Sequence, residues 1–162
     1  MKSKSAWSGR ESVWDYPRPP RLEAATRRVR IEFGGIKIAD SPAAYRLLET
    51  SHPPVYYIPK RDIELSYLRT ASGSSFCEWK GRAVYYDLEV GATRAERAAW
   101  EYPDLPDAYR ALANHLAFYP ALMDACYLDD ERVQPQEGRF YGGWITADIE
   151  GPFKGGAGTA GW

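Results

Sequence analysis

Sulfur and imidazole ligands are scarce in this chain, which has two cysteines, Cys77 and Cys126, and two histidines, His52 and His115. The cysteines are too few for a disulfide framework and form no C-x-x-C motif, which favours free thiols in a reducing compartment. A zinc site needs three or four converging ligands, and these four residues lack the familiar ligand spacing. We therefore expect no bound metal and no other cofactor.

The sequence also lacks an excess of charge of one sign and any long apolar run. Lys and Arg number 21 and Asp and Glu number 22, which gives a formal charge of −1, without the basic excess typical of proteins that bind nucleic acid. No apolar stretch approaches the roughly 20 residues that cross a bilayer, and residues 1–10 lack the apolar segment of a signal peptide. We expect a soluble, cytoplasmic protein that binds neither nucleic acid nor membranes.

Strand patterns and aromatic residues, by contrast, are abundant. Val29, Ile31 and Phe33 alternate with charged residues, which predicts a half-buried strand. Gly34-Gly35 provides the positive φ angles of a tight turn, so residues 36–39 are predicted to return as the second strand of a hairpin. Further strands are predicted over residues 55–58, 63–68, 76–80, 83–90, 98–102 and 123–128.

Helices are predicted to be few and short. Ser41 and Pro42 are typical of a helix start and predict a helix over residues 43–50, before the prolines at 53 and 54. A second short helix is predicted over residues 107–115, and a loop over residues 72–75 because of their Ser-Gly composition. The pattern as a whole indicates a mainly β fold, α+β with short helices.

The two ends of the chain differ in composition from the middle. Residues 1–25 are rich in proline and charge, which predicts an extended arm. Residues 138–162 are rich in glycine and aromatics, which predicts a tail that wraps the core. Residues 26–137 are then the core domain.

No catalytic motif stands out, because the sequence has no G-x-S-x-G, no Walker motif and no D-x-D pair for Mg²⁺. Cys77 precedes Lys80 closely, and an ammonium can activate a thiol, although a buried structural thiol is the alternative. Glu49 lies near His52 and can act as an acid or a base, or can simply be solvated. The aromatic pairs around Tyr57 and Trp100 can line a cleft or belong to the core.

Several short blocks of the sequence, taken together, resemble the bacterial domain of unknown function family 427, which is also called nucleotidyltransferase-like. The blocks are Ile38-Ala39-Asp40-Ser41, Tyr57-Ile58-Pro59, Cys77-Glu78-Trp79-Lys80-Gly81, Trp100-Glu101-Tyr102-Pro103 and Phe118-Tyr119. In the tail, Tyr141-Gly142-Gly143-Trp144 and Gly151-Pro152-Phe153-Lys154-Gly155-Gly156 are similar to the longer members. The resemblance covers nearly the whole chain.

The resemblance implies a fold similar to the Mss4-like or β-tent architecture, in which two antiparallel sheets meet at an angle. Many proteins of that architecture hold a structural zinc with cysteines that this chain lacks, so no zinc is expected. The resemblance also implies a cleft between the sheets that holds a small ligand among aromatics. The matching positions here are Ser41, Glu49, Tyr57, Cys77, Trp79, Lys80, Trp100 and Tyr102.

Three hypotheses about function follow. The first is a small-molecule-binding domain whose unknown ligand is planar or nucleoside-like and stacks on aromatics. The second is an enzyme in which Cys77 or Glu49 acts with Lys80. The third is a protein-interaction module that uses the C-terminal tail. A homodimer through exposed edge strands is compatible with each of them.

Overall fold

The backbone is built almost entirely of strands. The computed structural model describes residues 10–77, 79–138, 141–156, 158–159 and 162. The strands of this part of the chain are β1 (Glu11–Ser12), β2 (Arg21–Ala24), β3 (Val29–Phe33), β4 (Ile36–Ser41), β5 (Tyr45–Leu48), β6 (Val55–Pro59), β7 (Leu68–Cys77), β8 (Gly81–Val90), β9 (Thr93–Glu101), β10 (His115–Phe118), β11 (Ala125–Leu128), β12 (Glu131–Arg132), β13 (Gln134–Pro135), β14 (Trp144–Ile145) and β15 (Ile149–Glu150). Short 3₁₀-helices span Val13–Asp15, Lys60–Asp62, Leu65–Tyr67, Asp107–Leu112 and Pro120–Leu122. The predicted mainly β fold is confirmed.

Two antiparallel sheets carry most of the strands. The larger has seven strands in the order β2-β5-β6-β10-β9-β8-β7, and the smaller has four in the order β12-β11-β3-β4. Two small pairs complete the described part: β13 with β14, antiparallel, and β1 with β15, parallel. All neighbouring strands within the two larger sheets run antiparallel to each other.

The predicted hairpin is confirmed and forms one side of the four-stranded sheet, with β4 at the edge. Val29, Ile31 and Phe33 are buried, and the residues between them are half-exposed. Gly34 and Gly35 have φ angles of 61° and 78°, the left-handed conformation that a tight hairpin turn requires. This segment was predictable because its turn and its alternation are both local.

The helix predicted over residues 43–50 is wrong, because this segment contains strand β5. A helix of about two turns gains little by itself, whereas β5 pairs on both sides, with Leu47 opposite Leu22 in β2 and Val55 in β6. Ser41 does bond the backbone N–H of Ala43, as a helix-capping residue would. The pairing with distant strands therefore outweighs a local helix signal.

The predicted strand over residues 63–68 and the predicted loop over residues 72–75 are also wrong. Residues 65–67 form a 3₁₀-helix, and β7 runs from Leu68 through the serine-rich stretch to Cys77. Its pairing with β8 shifts in register between Thr70 and Ser74, where Gly73 has a φ of 84°. The neighbouring strand provides hydrogen bonds that the local composition does not predict.

The short helix predicted over residues 107–115 is a 3₁₀-helix over Asp107–Leu112, and β10 begins at His115.

The main core fills the space between the two larger sheets. Its buried residues include Val29, Ile31, Phe33, Ile38 and Leu128 from the smaller sheet and Tyr56, Ile58, Ala99, Leu116 and Phe118 from the larger one. A second core covers the opposite face of the larger sheet, with Leu47, Tyr57, Ala83, Trp100, Leu105, Tyr109, Leu112 and Ala117. The larger sheet is therefore packed on both faces, and the second core positions the site described below.

Both ends of the described chain join these layers. Strand β2 is an edge strand of the seven-stranded sheet, and Trp144 is fully buried in the main core, 5.1 Å from the Tyr56 ring. Glu11 accepts hydrogen bonds from Arg46 on β5 at 3.0 and 2.7 Å. Within the described residues, no helix has the length and apolar character needed to cross a membrane.

Candidate functional site

A line of directly paired residues crosses the seven-stranded sheet from β5 to β8. Tyr45 lies opposite Tyr57, Tyr57 opposite Ala117, Ala117 opposite Trp100, and Trp100 opposite Tyr85. Residues paired across antiparallel strands point to the same face, so the aromatic residues stand side by side. Ala117 contributes only a methyl group between Tyr57 and Trp100. That methyl group has no exposed surface, so the neighbouring side chains cover it completely.

A cavity of about 340 Å³ lies over this line, on the face of the larger sheet that bears the second core. Its lining residues are Leu47, Glu49, His52, Pro53, Val55, Tyr57, Ser75, Lys80, Tyr85, Trp100, Tyr102, Tyr119, Gln136, Tyr141 and Gly142. The Trp100 and Tyr119 ring centroids are 4.5 Å apart, and the Tyr57 ring stands edge-on to Trp100 at 6.4 Å. The cavity is thus walled mainly by aromatic rings.

The C-terminal tail closes part of this cavity. A Cβ atom added to Gly142 would lie 2.5 Å from Cη2 of Trp100, which is closer than carbon atoms approach without displacement. The Gln136 side chain holds the covering segment through its Oε1, which accepts from Gly143 N at 3.0 Å, and through its Nε2, which donates to the carbonyl of Lys154 at 2.6 Å. Glycine at 142 therefore lets the backbone lie directly on the Trp100 ring.

Lys80 contributes a buried positive charge to the cavity wall. The residue lies in the turn between β7 and β8, just before Gly81, whose φ is 92°. Its exposed fraction is 6 %, and Nζ lies 5.2 Å from the Tyr102 ring centroid, within the range of a cation–π contact. Among the described residues, Lys80 forms no ion pair with a carboxylate. A buried ammonium is unfavourable unless another group compensates it.

The tyrosine hydroxyl groups of the cavity remain protonated at neutral pH. Burial raises the pKa of Tyr57, Tyr102 and Tyr119 above the ordinary value for a phenol. The Tyr57 hydroxyl accepts hydrogen bonds from Trp100 and Tyr102, so its own proton can be donated into the cavity. Tyr85 is held at the far end by a 2.7 Å hydrogen bond between its hydroxyl and Ser75 Oγ.

Glu49 and His52 lie at the rim. The Glu49 carboxylate pairs with Arg18 Nε at 3.4 Å, and His52 Nδ1 lies 3.4 Å from Gln136 Nε2. Burial lowers the pKa of His52, the charges of Lys154, Arg18 and Lys80 lower it further, and only Glu49 opposes them. His52 is therefore neutral at pH 7.

Five of the eight residues predicted from the sequence line the cavity: Glu49, Tyr57, Lys80, Trp100 and Tyr102. Trp79 is half-buried and packs against the second core beside the cavity. Cys77, also half-buried, lies at the end of β7 outside the lining. Ser41 lies apart on β4, where its hydroxyl donates to Asp62 Oδ2 at 2.6 Å.

The cavity is not where the sequence places a cleft. The expected cleft lies between the two sheets, but the main core fills that space. The site instead uses the opposite face of the larger sheet, because alternation along the strands turns Tyr57 and Trp100 away from the main core while Tyr56 and Ala99 face it.

Sequence reasoning missed several lining residues. Tyr119 directly follows Phe118 in one of the resembling blocks, and Tyr85 alternates with Val84 and Tyr86, so both had a local signal. Tyr141 begins a resembling block of the tail and had such a signal too. His52 and Gln136 have none, because a histidine and a glutamine outside regular strands are brought to the cavity only by tertiary contacts. Within the described ranges, no group of three or more His, Cys, Asp or Glu residues could hold a metal ion.

Comparison with known proteins identifies a family without giving an activity. A family model described as Domain of unknown function (DUF427) matches residues 21–129. The matched range includes strands β2 to β11 and most of the cavity wall, while Gln136, Tyr141 and Gly142 lie beyond it. No curated protein matches the chain.

Proposed function

Because the chain belongs to the DUF427 family, whose description assigns no activity, we propose a function from the cavity itself: the protein binds a small planar molecule, of nucleoside size or smaller. The β-tent likeness and the cytoplasmic location remain predictions alongside this proposal. A ligand site of this kind is concave, mostly apolar and provided with a few polar groups that fix orientation. The cavity beside Trp100 is concave, is lined by several aromatic rings and carries polar groups such as those of Lys80 and Gln136.

The observation that carries the proposal is the open cavity beside the rings of Tyr57, Trp100 and Tyr119. Protein interiors are packed as densely as organic crystals, and unfilled space costs stability. Here about 340 Å³ stays open between large rings, at the lower end of the range for small-molecule sites. A flat ligand would fill this cavity and stack on the rings of Trp100 and Tyr119.

The experiment is a thermal-shift screen of the full chain against nucleosides, nucleotides and planar heterocycles, repeated with Tyr57→Ala and Trp100→Ala. A ligand that binds only the folded state raises Tm. We expect at least one ligand whose shift disappears in both variants but persists in Trp14→Ala, since Trp14 lies outside the cavity lining. Each variant is compared with its own ligand-free Tm. A screen without any shift, or a shift that survives both cavity variants, would contradict the proposal.

A second candidate, an enzyme in which Glu49 or Cys77 acts with Lys80, is favoured by one observation. Glu49 and Lys80 both line the cavity beside the neutral His52, whereas Cys77 does not line it. The geometry therefore favours the carboxylate over the thiol. Incubation of wild type and Glu49→Gln with each ligand from the screen, followed by mass spectrometry of the small molecules, tests it. Chemical change of a bound ligand by wild type alone supports an enzyme, and unchanged ligand with full binding supports a binding protein.

A further inference from the structure

The cavity contains a positive charge that no carboxylate among the described residues pairs with. Lys80 is more than nine-tenths buried, lines the cavity, and forms neither a hydrogen bond nor an ion pair with any described residue. Its contact with the Tyr102 ring compensates only part of the lost hydration, because a cation–π contact is weaker than a buried ion pair. A negatively charged group in the cavity would complete the pairing.

Glu49 does not serve as that counter-ion. Among the described lining residues it alone is acidic, and its carboxylate faces Arg18 on the outer side, at 3.4 Å from Nε. Lys154 also lies close enough to lower the pKa of His52. Three cations, Arg18, Lys80 and Lys154, thus surround the rim against one carboxylate. The local charge favours an anion over a cation.

Hydrogen-bond donors lie on the same side of the cavity. The Tyr57 hydroxyl, which accepts from Trp100 and Tyr102, keeps its own proton to donate, and the Tyr102 ring contacts Lys80 Nζ. A protonated phenol beside an ammonium forms a combination that binds carboxylate or phosphate oxygens well, because hydrogen bonds to an anion are about twice as strong as neutral ones. The aromatic line lies beyond these donors.

We propose that the ligand is an aromatic anion, whose carboxylate or phosphate group pairs with Lys80 while its ring lies against Trp100. This inference rests on the proposed binding function and specifies the chemical class of its ligand. Carboxylate and phosphate share the chemistry that Lys80 recognises, and the experiment below distinguishes them.

The test is a calorimetric titration of the full chain with three matched probes: 2-naphthoate, 2-naphthyl phosphate and the neutral 2-naphthamide. The aromatic system is the same in all three, so a difference in affinity reports the charged group. We expect at least one of the two anions to bind wild type about 10- to 100-fold more tightly than the neutral amide does. The tighter of the two anions identifies the group that the site prefers.

The matched variants are Lys80→Met and Lys37→Met. Methionine keeps most of the length of the lysine side chain, and Lys37 is an exposed lysine on β4 that pairs with Asp40 outside the cavity. Lys80→Met should reduce the affinity of the anion to that of the amide, and Lys37→Met should leave the ratio unchanged. If Lys80→Met does not fold, Lys80→Arg, which keeps the charge, should retain the preference for the anion.

Each other outcome has a distinct meaning. Equal affinity of all three probes for wild type overturns the inference and leaves the proposed binding function intact. An anion preference that persists in Lys80→Met also overturns it, because another cation must then be responsible. Absence of binding by all three probes contradicts both this inference and the planar-ligand proposal on which it rests.

Discussion

Gly142 lies so close to Trp100 that a Cβ atom at position 142 would be 2.5 Å from Cη2 of the indole ring. This contact joins the C-terminal tail to the aromatic line of the seven-stranded sheet and closes the cavity from above. The backbone at 142 must therefore carry no side chain, for a steric reason and not for a special φ angle.

Gly142→Ala is expected to destabilise the fold by about 1–3 kcal/mol, because an added methyl group in a packed contact forces its neighbours to move. Urea unfolding measures the effect. If the clash with Trp100 is the cause, the double variant Gly142→Ala with Trp100→Leu should lose less stability than the sum of the two single variants. Strict additivity of the two changes would show that the 142 backbone and the indole ring are not in contact.

Glu11 should contribute to stability in a manner that depends on pH. Burial opposes its ionisation, but hydrogen bonds from Arg46 and Tyr16 outweigh burial, so the pKa of Glu11 is lowered from its ordinary 4.5. A lowered folded-state pKa gives stability that is complete above about pH 4.5 and is lost as the pH falls through the folded-state pKa. Urea midpoints measured between pH 7 and pH 3 should therefore fall more steeply in wild type than in Glu11→Gln. The control Glu96→Gln, at a highly exposed carboxyl, should follow wild type, and parallel curves for Glu11→Gln and wild type would refute the prediction.

His52 should titrate below its ordinary pKa of 6.5, since burial and the charges of Lys154, Arg18 and Lys80 outweigh that of Glu49. The folded state disfavours the charged imidazole. The contribution of His52 to the free energy of unfolding is therefore complete above pH 6.5 and decreases as the pH falls from 6.5 towards the folded-state pKa. Proton NMR of His115→Gln, which leaves one histidine, measures the value directly. Saturation with 2-naphthoate should raise it, since a negative charge in the cavity favours imidazolium. A midpoint at or above 6.5 without ligand would contradict the account of the rim.

Trp144 should be essential for stability although it lies in the glycine-rich tail. Its side chain is fully buried in the main core against Tyr56, so Trp144→Ala is expected to cost about 3–5 kcal/mol in the free energy of unfolding. Trp14→Ala is the matched control, because that indole is 43 % exposed. Equal losses in both variants, measured by urea unfolding, would show that the tail does not anchor the core.

Features that depend on residues close together in sequence could be predicted, and features that depend on distant residues could not. The β3–β4 hairpin was predictable because Gly34-Gly35 and the alternation beside it are contiguous. The sequence pattern predicts a helix at strand β5, because its strand character depends on pairing with β2 and β6. In the same way, Tyr57 and Trp100 were recognisable as cavity residues, whereas Gln136 is placed there only by tertiary contacts.

The charges of the site show the same limit. The basic side chain of Lys80 stands beside Gly81 in a recognisable block, and it does line the cavity. Its lack of a carboxylate partner among the described residues could not be read from the sequence, since three acidic residues, Glu78, Asp87 and Glu89, lie within ten positions of it. Only the folded geometry shows that Glu49 pairs with Arg18 and not with Lys80.

The most direct test of ligand binding over the aromatic line is an NMR titration of the ¹⁵N-labelled tryptophan indoles with 2-naphthoate, with the Trp100 signal assigned from Trp100→Phe. Trp100 lines the cavity, whereas Trp144 lies in the main core on the other side of the sheet. We predict a saturable shift of the Trp100 indole N–H, with the Trp144 signal unchanged. Saturable binding that moves the Trp144 or Trp14 signal and leaves Trp100 unaffected would contradict the central claim.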